Sequence, residues 1–296
     1  MLLQQPDGEL PSALEGIDWK RFPLAAMAKL GWIEKRPNLA TRAEQIMRDL
    51  IRRAGGEHVL PAALYKKNDL ARANAKMDPY ALQAWCWQVL ACANATPLSV
   101  VYQSGTVNIE FLRKVARLSW STEGPRLAKE FLAKHGIHLV WVEHLLRTHL
   151  DGAALQLGDG TPVIGVTLRY DRLDNFWFCL LHELAHIGRH MDGKLDEAFI
   201  DDLSLRDVEG DRRDPTEVEA DEWAENALIP TSVWKASRVR DNPSPLAVLE
   251  LAQQLGIHPA IVAGRVRHDT GNFRLLSHFV GTGEVRQQLV KRPTNT

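Results

Sequence analysis

Two histidines four residues apart, with a glutamate between them, carry the clearest chemistry in the chain: His182-Glu183-Leu-Ala-His186. On a helix, residues four apart lie one turn apart on the same face, so both imidazoles can reach one metal ion. Glu183, the next residue round, can take a proton from a water on that metal. The preceding run, Phe176-Trp-Phe-Cys-Leu-Leu181, is apolar on every side, the pattern of a helix buried in a core. Histidines and a glutamate in that setting need partners, because an unpaired buried polar group costs about 1–3 kcal/mol. A zinc ion would supply one. The pattern arises by chance in roughly a few per cent of chains this size, and the buried setting lowers that rate.

Catalytic zinc normally keeps three protein ligands and one open position. His190 is the nearest candidate, but it is about 12 Å along a helix from His182. It could share the ion only if the helix broke at Gly188, so it is expected beside the site as a supporting group. The better source is Asp214-Pro-Thr-Glu217-Val-Glu219-Ala-Asp221, which runs on to Leu228-Ile-Pro230. Asp214 is a natural N-cap and Pro215 a natural first helical residue. Glu217 then falls where a capping-box glutamate would, which accounts for it without a metal. The apolar stripe comprises Ala220, Trp223, Ala224, Ala227 and Leu228, with Glu217 and Glu219 flanking it on opposite sides and Glu222 and Glu225 toward solvent. With Glu217 assigned to the cap, Glu219 is the expected third ligand, although periodicity alone does not separate the two.

The elements that must position these residues come in a mixed order. Helical spacing is expected from Ile17 to Gly31, from about Leu39 to Arg53, from Pro79 to Ala95, from Val107 to Trp120 and from Arg126 to His135. Residues 1–16 and Lys291 to Thr296 are expected to be poorly ordered. Arg42, Arg48, Arg52 and Arg53 read as a solvated face, and Trp85 and Trp87 as packing. Residues 137–142 read as a strand, and 153–157 with 162–167 as a hairpin about Gly158-Asp-Gly160. Asp171 and Asp174 are both plausible N-caps for the metal helix. A small sheet directly before a metal helix is how zinc peptidases lay an extended substrate along a sheet edge.

The bulk numbers exclude several classes. The 296 residues can bury a sizeable core, and 45% hydrophobic with 25% charged residues is ordinary for a soluble globular protein. A formal net charge of −1 gives no global basic bias toward nucleic acid. No run is long enough to span a membrane, and the start lacks a signal-peptide pattern. Cys86, Cys92 and Cys179 form no paired motif and read as free, buried thiols. A cytoplasmic, reduced setting is expected.

His182-Glu-Leu-Ala-His186 with His190, then Glu219-Ala-Asp221 followed by Ala224 and Leu228-Ile-Pro230, resembles the ImmA/IrrE family of intracellular zinc metallopeptidases over roughly residues 120–270. The resemblance implies Glu219 as third ligand, a zincin-like core and, for several members, cleavage of helix-turn-helix repressors. Asp221 stands where family members commonly have Asn. The segment from Trp19 to Trp32 is similar to the join in antitoxin-type regulators, where a HigA-like helix-turn-helix precedes the peptidase. Only 18 residues precede Trp19 here, too few for that DNA-binding domain, so promoter regulation is not carried over.

At the C-terminal end, Leu251 to Val262 has helix-turn-helix spacing, with Arg265, Arg267 and His268 on the second helix. Gly264 weakens that helix, and Arg265 falls where an apolar residue is expected. A cap beside the peptidase core is therefore expected in preference to DNA binding.

The sequence thus predicts an α+β protein, mostly helical, with a small sheet beside the metal helix. Three regions are expected: a helical docking or regulatory region over 1–120, a peptidase domain over 121–240 and a helical cap over 241–296. The expected activity is zinc-dependent cleavage of a repressor or antitoxin-like protein. Zn²⁺ would sit on His182, His186 and Glu219, with Glu183 as base and the oxyanion group open among His144, His149, His190 and Tyr170. The rival expectation is a toxin–antitoxin-type binding protein, with DNA or a toxin as partner and a structural zinc.

Overall fold

A computed structural model of the chain describes residues 14, 16–56, 77–191, 199–201 and 214–289. The expectations for most of residues 1–16 and for Lys291 to Thr296 fall outside them. The protein is α+β, with a mixed sheet between two sets of helices.

The sheet contains β1 (His138–Trp141), β2 (Gly152–Gln156), β3 (Pro162–Val166) and β4 (Phe199–Asp201), in the order β1-β3-β2-β4. β1 runs parallel to β3, and β2 is antiparallel to both β3 and β4. The hairpin joining β2 to β3 closes through Leu157 N–H to the Thr161 carbonyl, 3.0 Å, with Gly160 at φ 84°. That positive φ is what the Gly-Asp-Gly turn supplies at no steric cost.

Every strand of the hairpin is buried on both faces, and period-two alternation divides its side chains between two cores. Ala153, Leu155 and Val163 point to the back, whereas Ala154, Ile164 and Val166 point to the front. The back is covered by α2 (Ala43–Arg53) and α3 (Pro79–Asn94), the latter resting on the sheet. A Cβ on Gly165 would lie 2.7 Å from the Trp85 ring and 3.0 Å from Val89, so the glycine lets α3 lie close. Trp85 also donates its indole N–H to the Val142 carbonyl at 3.3 Å.

The front is covered by α6 (Leu173–His186), which carries the His-Glu-x-x-His pattern. Around it pack α4 (Ile109–Arg117), α7 (Pro215–Leu228) and α11 (Pro259–Thr270). α6 has no side-chain cap at its start. Asp171 and Asp174 were the sequence candidates, but Arg172 occupies the cap position and Asp174 pairs with Arg172 and with the buried Arg267 of α11. The helix is held by burial on all sides, as its uniformly apolar run requires.

Among the described residues, packing is continuous on both sides of residue 120. α3 forms the back layer of the sheet, and Val107, Phe111, Leu112 and Val115 belong to the same core as α6. The C-terminal helices join that core too: Ile261, Val262 and Val266 are buried in it, and Ser119 Oγ accepts the His258 N–H at 2.9 Å. The helix-turn-helix-like pair is α10 (Pro245–Leu255) and α11, joined through Gly256 in the left-handed region. Its basic side chains are committed internally, Arg265 to Glu225 and Asp269 and Arg267 to Asp174. The basic face of α2 is similarly occupied: Arg48 pairs with Glu44 and Arg52 with Asp49. Among the described residues no helix is long and apolar enough to cross a membrane. Cys86, Cys92 and Cys179 form no disulfide among the described residues.

Candidate metal centre

The antiparallel pair α6 and α7 builds the site. His182 and His186 are buried one turn apart on α6, and Glu217 rises from the first turn of α7. Their ligand atoms converge. Nε2 of His182 lies 2.9 Å from Nε2 of His186. Oε2 of Glu217 lies 3.2 Å from the first nitrogen and 3.4 Å from the second. A tetrahedral zinc with bonds of about 2.0–2.1 Å separates its donors by roughly 3.3 Å, so this triangle fits such an ion. Two nitrogens and one carboxylate oxygen are also the donor types of catalytic zinc, with a fourth position left open.

Glu219, the ligand expected from the sequence, lies elsewhere. Its carboxylate takes Arg189 on one oxygen and His190 Nε2, at 3.1 Å, on the other. The two flank the apolar stripe on opposite sides. Counting at 100° per residue, Glu217 falls within about 20° of Ala224 and Glu219 within about 40° of Trp223, and it is the Trp223 side that Arg189 covers. Asp214 caps α7 as expected, accepting the Thr216 N–H at 2.9 Å, but the Glu217 carboxylate faces the histidines. Glu225 also departs from expectation, pairing with Arg265 at 2.5 Å.

Asp221, one turn beyond Glu217, accepts from Nδ1 of His182 at 2.9 Å. That contact fixes the tautomer whose Nε2 lone pair points into the triangle. Asp221 is not among the site residues expected from the sequence. Its spacing, four residues after one ligand on the same face, was the available signal.

On the other side, α6 continues into a wider π-helical turn, Ile187–Met191, instead of breaking at Gly188. Such turns are frequent at functional sites. This one brings Nδ1 of His190 to 2.9 Å from Nδ1 of His186, on the face away from the triangle. Phe199 of β4 stacks on the His186 ring with centroids 4.5 Å apart and 13° between the planes. Burial pushes the His186 imidazole down to about 4, so it stands neutral and able to donate a lone pair at neutral pH.

Glu183 is fully buried against the start of β2. A Cβ on Gly152 would lie 2.7 Å from Oε1 of Glu183 and 2.5 Å from the Cys179 sulfur, so only glycine leaves the carboxylate this space. Of the other sequence candidates, His144 faces Glu143 at 3.6 Å, and Tyr170 packs beneath Arg169 and Arg172. Neither these contacts nor any described for His149 brings them to the triangle. A cavity of about 170 Å³ opens farther along α6, lined by Asn175, Phe178, Leu228, Ile261 and Phe273 among others. The arginines in its wall, 172, 265 and 267, are matched to Asp174, Glu225 and Asp269.

Comparison with known proteins returns no match: no family model, no curated protein and no solved structure aligns significantly with the chain.

Proposed function

We propose that the protein is a zinc-dependent endopeptidase with a zincin-like core, held together at His182, His186 and Glu217. The observation that carries this reading is the convergence of those three ligand atoms within 3.4 Å, with Glu183 on the neighbouring helical position. When bound, zinc would polarise the scissile carbonyl and lower the pKa of a coordinated water. Glu183 takes a proton from the attacking water and returns it to the leaving amine. β4 supports the peptidase reading as well, since it adds a strand beside β2 and places Phe199 over His186. An extended peptide pairing along that side of the sheet would pass the metal.

The substrate class rests on the ImmA/IrrE resemblance: a repressor or antitoxin-like protein. Metal analysis tests the site first. The wild-type protein should hold about one equivalent of zinc, and His182→Ala should lose it. Glu183→Gln should keep the zinc and lose cleavage of the protein encoded beside it. Retained zinc with no hydrolysis by the wild type would favour the rival reading, a binding protein with a structural clamp.

A further inference from the structure

The contacts behind His186 form a chain that ends at the surface: His186 to His190, His190 to Glu219, Glu219 to Arg189. Both ring-to-ring and ring-to-carboxylate contacts are short enough to be hydrogen bonds, so proton positions are constrained along the whole chain. For His186 to offer its Nε2 lone pair to a metal, its proton must be on Nδ1. Nδ1 of His190, 2.9 Å away, must then be the acceptor and carry no proton. A neutral His190 with a bare Nδ1 has its proton on Nε2, and that nitrogen faces Oε2 of Glu219 at 3.1 Å. Glu219 is the acceptor there, since its other oxygen takes Arg189 and a carboxylate has no proton to give. Arg189 is in turn placed over the Trp223 ring at 5.0 Å.

We propose that His190 and Glu219 are positioning residues that fix the tautomer and ring orientation of His186, making the Arg189–Glu219–His190 chain the counterpart of the single Asp221 contact on His182. This rests on the metal-site reading above. The π-helical turn sets the angle at which His190, one turn past His186, meets that Nδ1. Glu219 thereby acts on the metal through two imidazoles and touches none of the ligand triangle. Supporting partners of this kind typically change metal affinity 10–100-fold when removed.

The test uses the full chain and zinc itself, with affinity read by competition against a chromogenic chelator. His190→Leu, which keeps volume but removes the acceptor, should weaken zinc binding 10–100-fold. His190→Asn, whose Oδ1 can accept from His186 Nδ1, should recover most of it. Glu219→Gln should stay near wild type, because the amide oxygen still accepts, whereas Glu219→Ala should weaken binding. Nitrogen-15 NMR of the zinc-loaded protein should show His190 protonated on Nε2 and bare on Nδ1. Equal zinc affinity in wild type and His190→Leu, equally weak binding in the Leu and Asn variants, or a His190 proton on Nδ1 would each overturn the proposal. A wild-type protein that binds no zinc would instead remove the metal-site reading beneath it.

Discussion

At the scale of single residues, the two glutamates of α7 separate cleanly. Glu217 lies in the ligand triangle, and Glu219 sits outside it on Arg189 and His190. Glu217→Ala should therefore abolish stoichiometric zinc binding, and Glu219→Ala should leave a full equivalent bound at lower affinity. Chelator competition on the two variants side by side checks this. The metal-free protein should also be acid-sensitive through His186. The folded-state pKa is depressed to about 4 from 6.5, so the unfolded chain takes up the proton first. Stability from this group is present above about pH 6.5 and is lost as pH falls toward 4. The loss is on the order of 3 kcal/mol. Urea midpoints of chelator-treated protein at pH 7 and pH 4.5 measure it, and His186→Gln should flatten the dependence.

At the scale of elements, the meeting of α6 with β2 sets where Glu183 can stand. Gly152→Ala puts a methyl group against Glu183 and the Cys179 sulfur, and overpacking of this kind costs about 1–3 kcal/mol. The variant should melt lower and lose hydrolysis while binding zinc near normally, because the atoms nearest the added methyl belong to Glu183 and Cys179 and to none of the three ligands. Zinc content alongside turnover distinguishes this from general misfolding. Much of this element was legible in the sequence. The all-round apolar run before His182 requires a buried helix, and the four-residue spacing requires a shared face. The glutamate that joins the two histidines is Glu217 and not the expected Glu219, for a reason that lies in α7 itself. Its first turn satisfies a capping rule and a metal-ligand rule with the same glutamate, and a local rule cannot weigh a partner 35 residues away. Nor does sequence spacing announce a π-helical turn, since Gly188 within it reads equally well as a break in the helix. His190 nevertheless stands beside the site as helical spacing predicts, one turn past His186.

At the scale of the whole molecule, the sheet needs both of its helical layers. Residues 1–120 contain no acid, base or ligand at a chemical spacing, which is why the sequence sets them apart as a docking or regulatory region. Period-two burial on β2 and β3 points the other way, because a strand with two apolar faces must be covered twice. Trp85 is the centre of that second cover: it is fully buried, reaches the Val142 carbonyl and contacts the strand at Gly165. Trp85→Ala should cost about 3–5 kcal/mol, through the lost transfer energy and the cavity left against the sheet. Because the two cores share one sheet, that loss should lower a single unfolding transition rather than split it. Zinc release and loss of far-ultraviolet ellipticity should shift together in a urea titration of the variant. A chain beginning at residue 121 should fail more completely, since it leaves Ala153, Leu155 and Val163 facing water. It should be insoluble or bind a hydrophobic dye strongly. A soluble truncated chain that binds one zinc with wild-type affinity would show instead that the front core folds alone and that the N-terminal helices are an accessory to it.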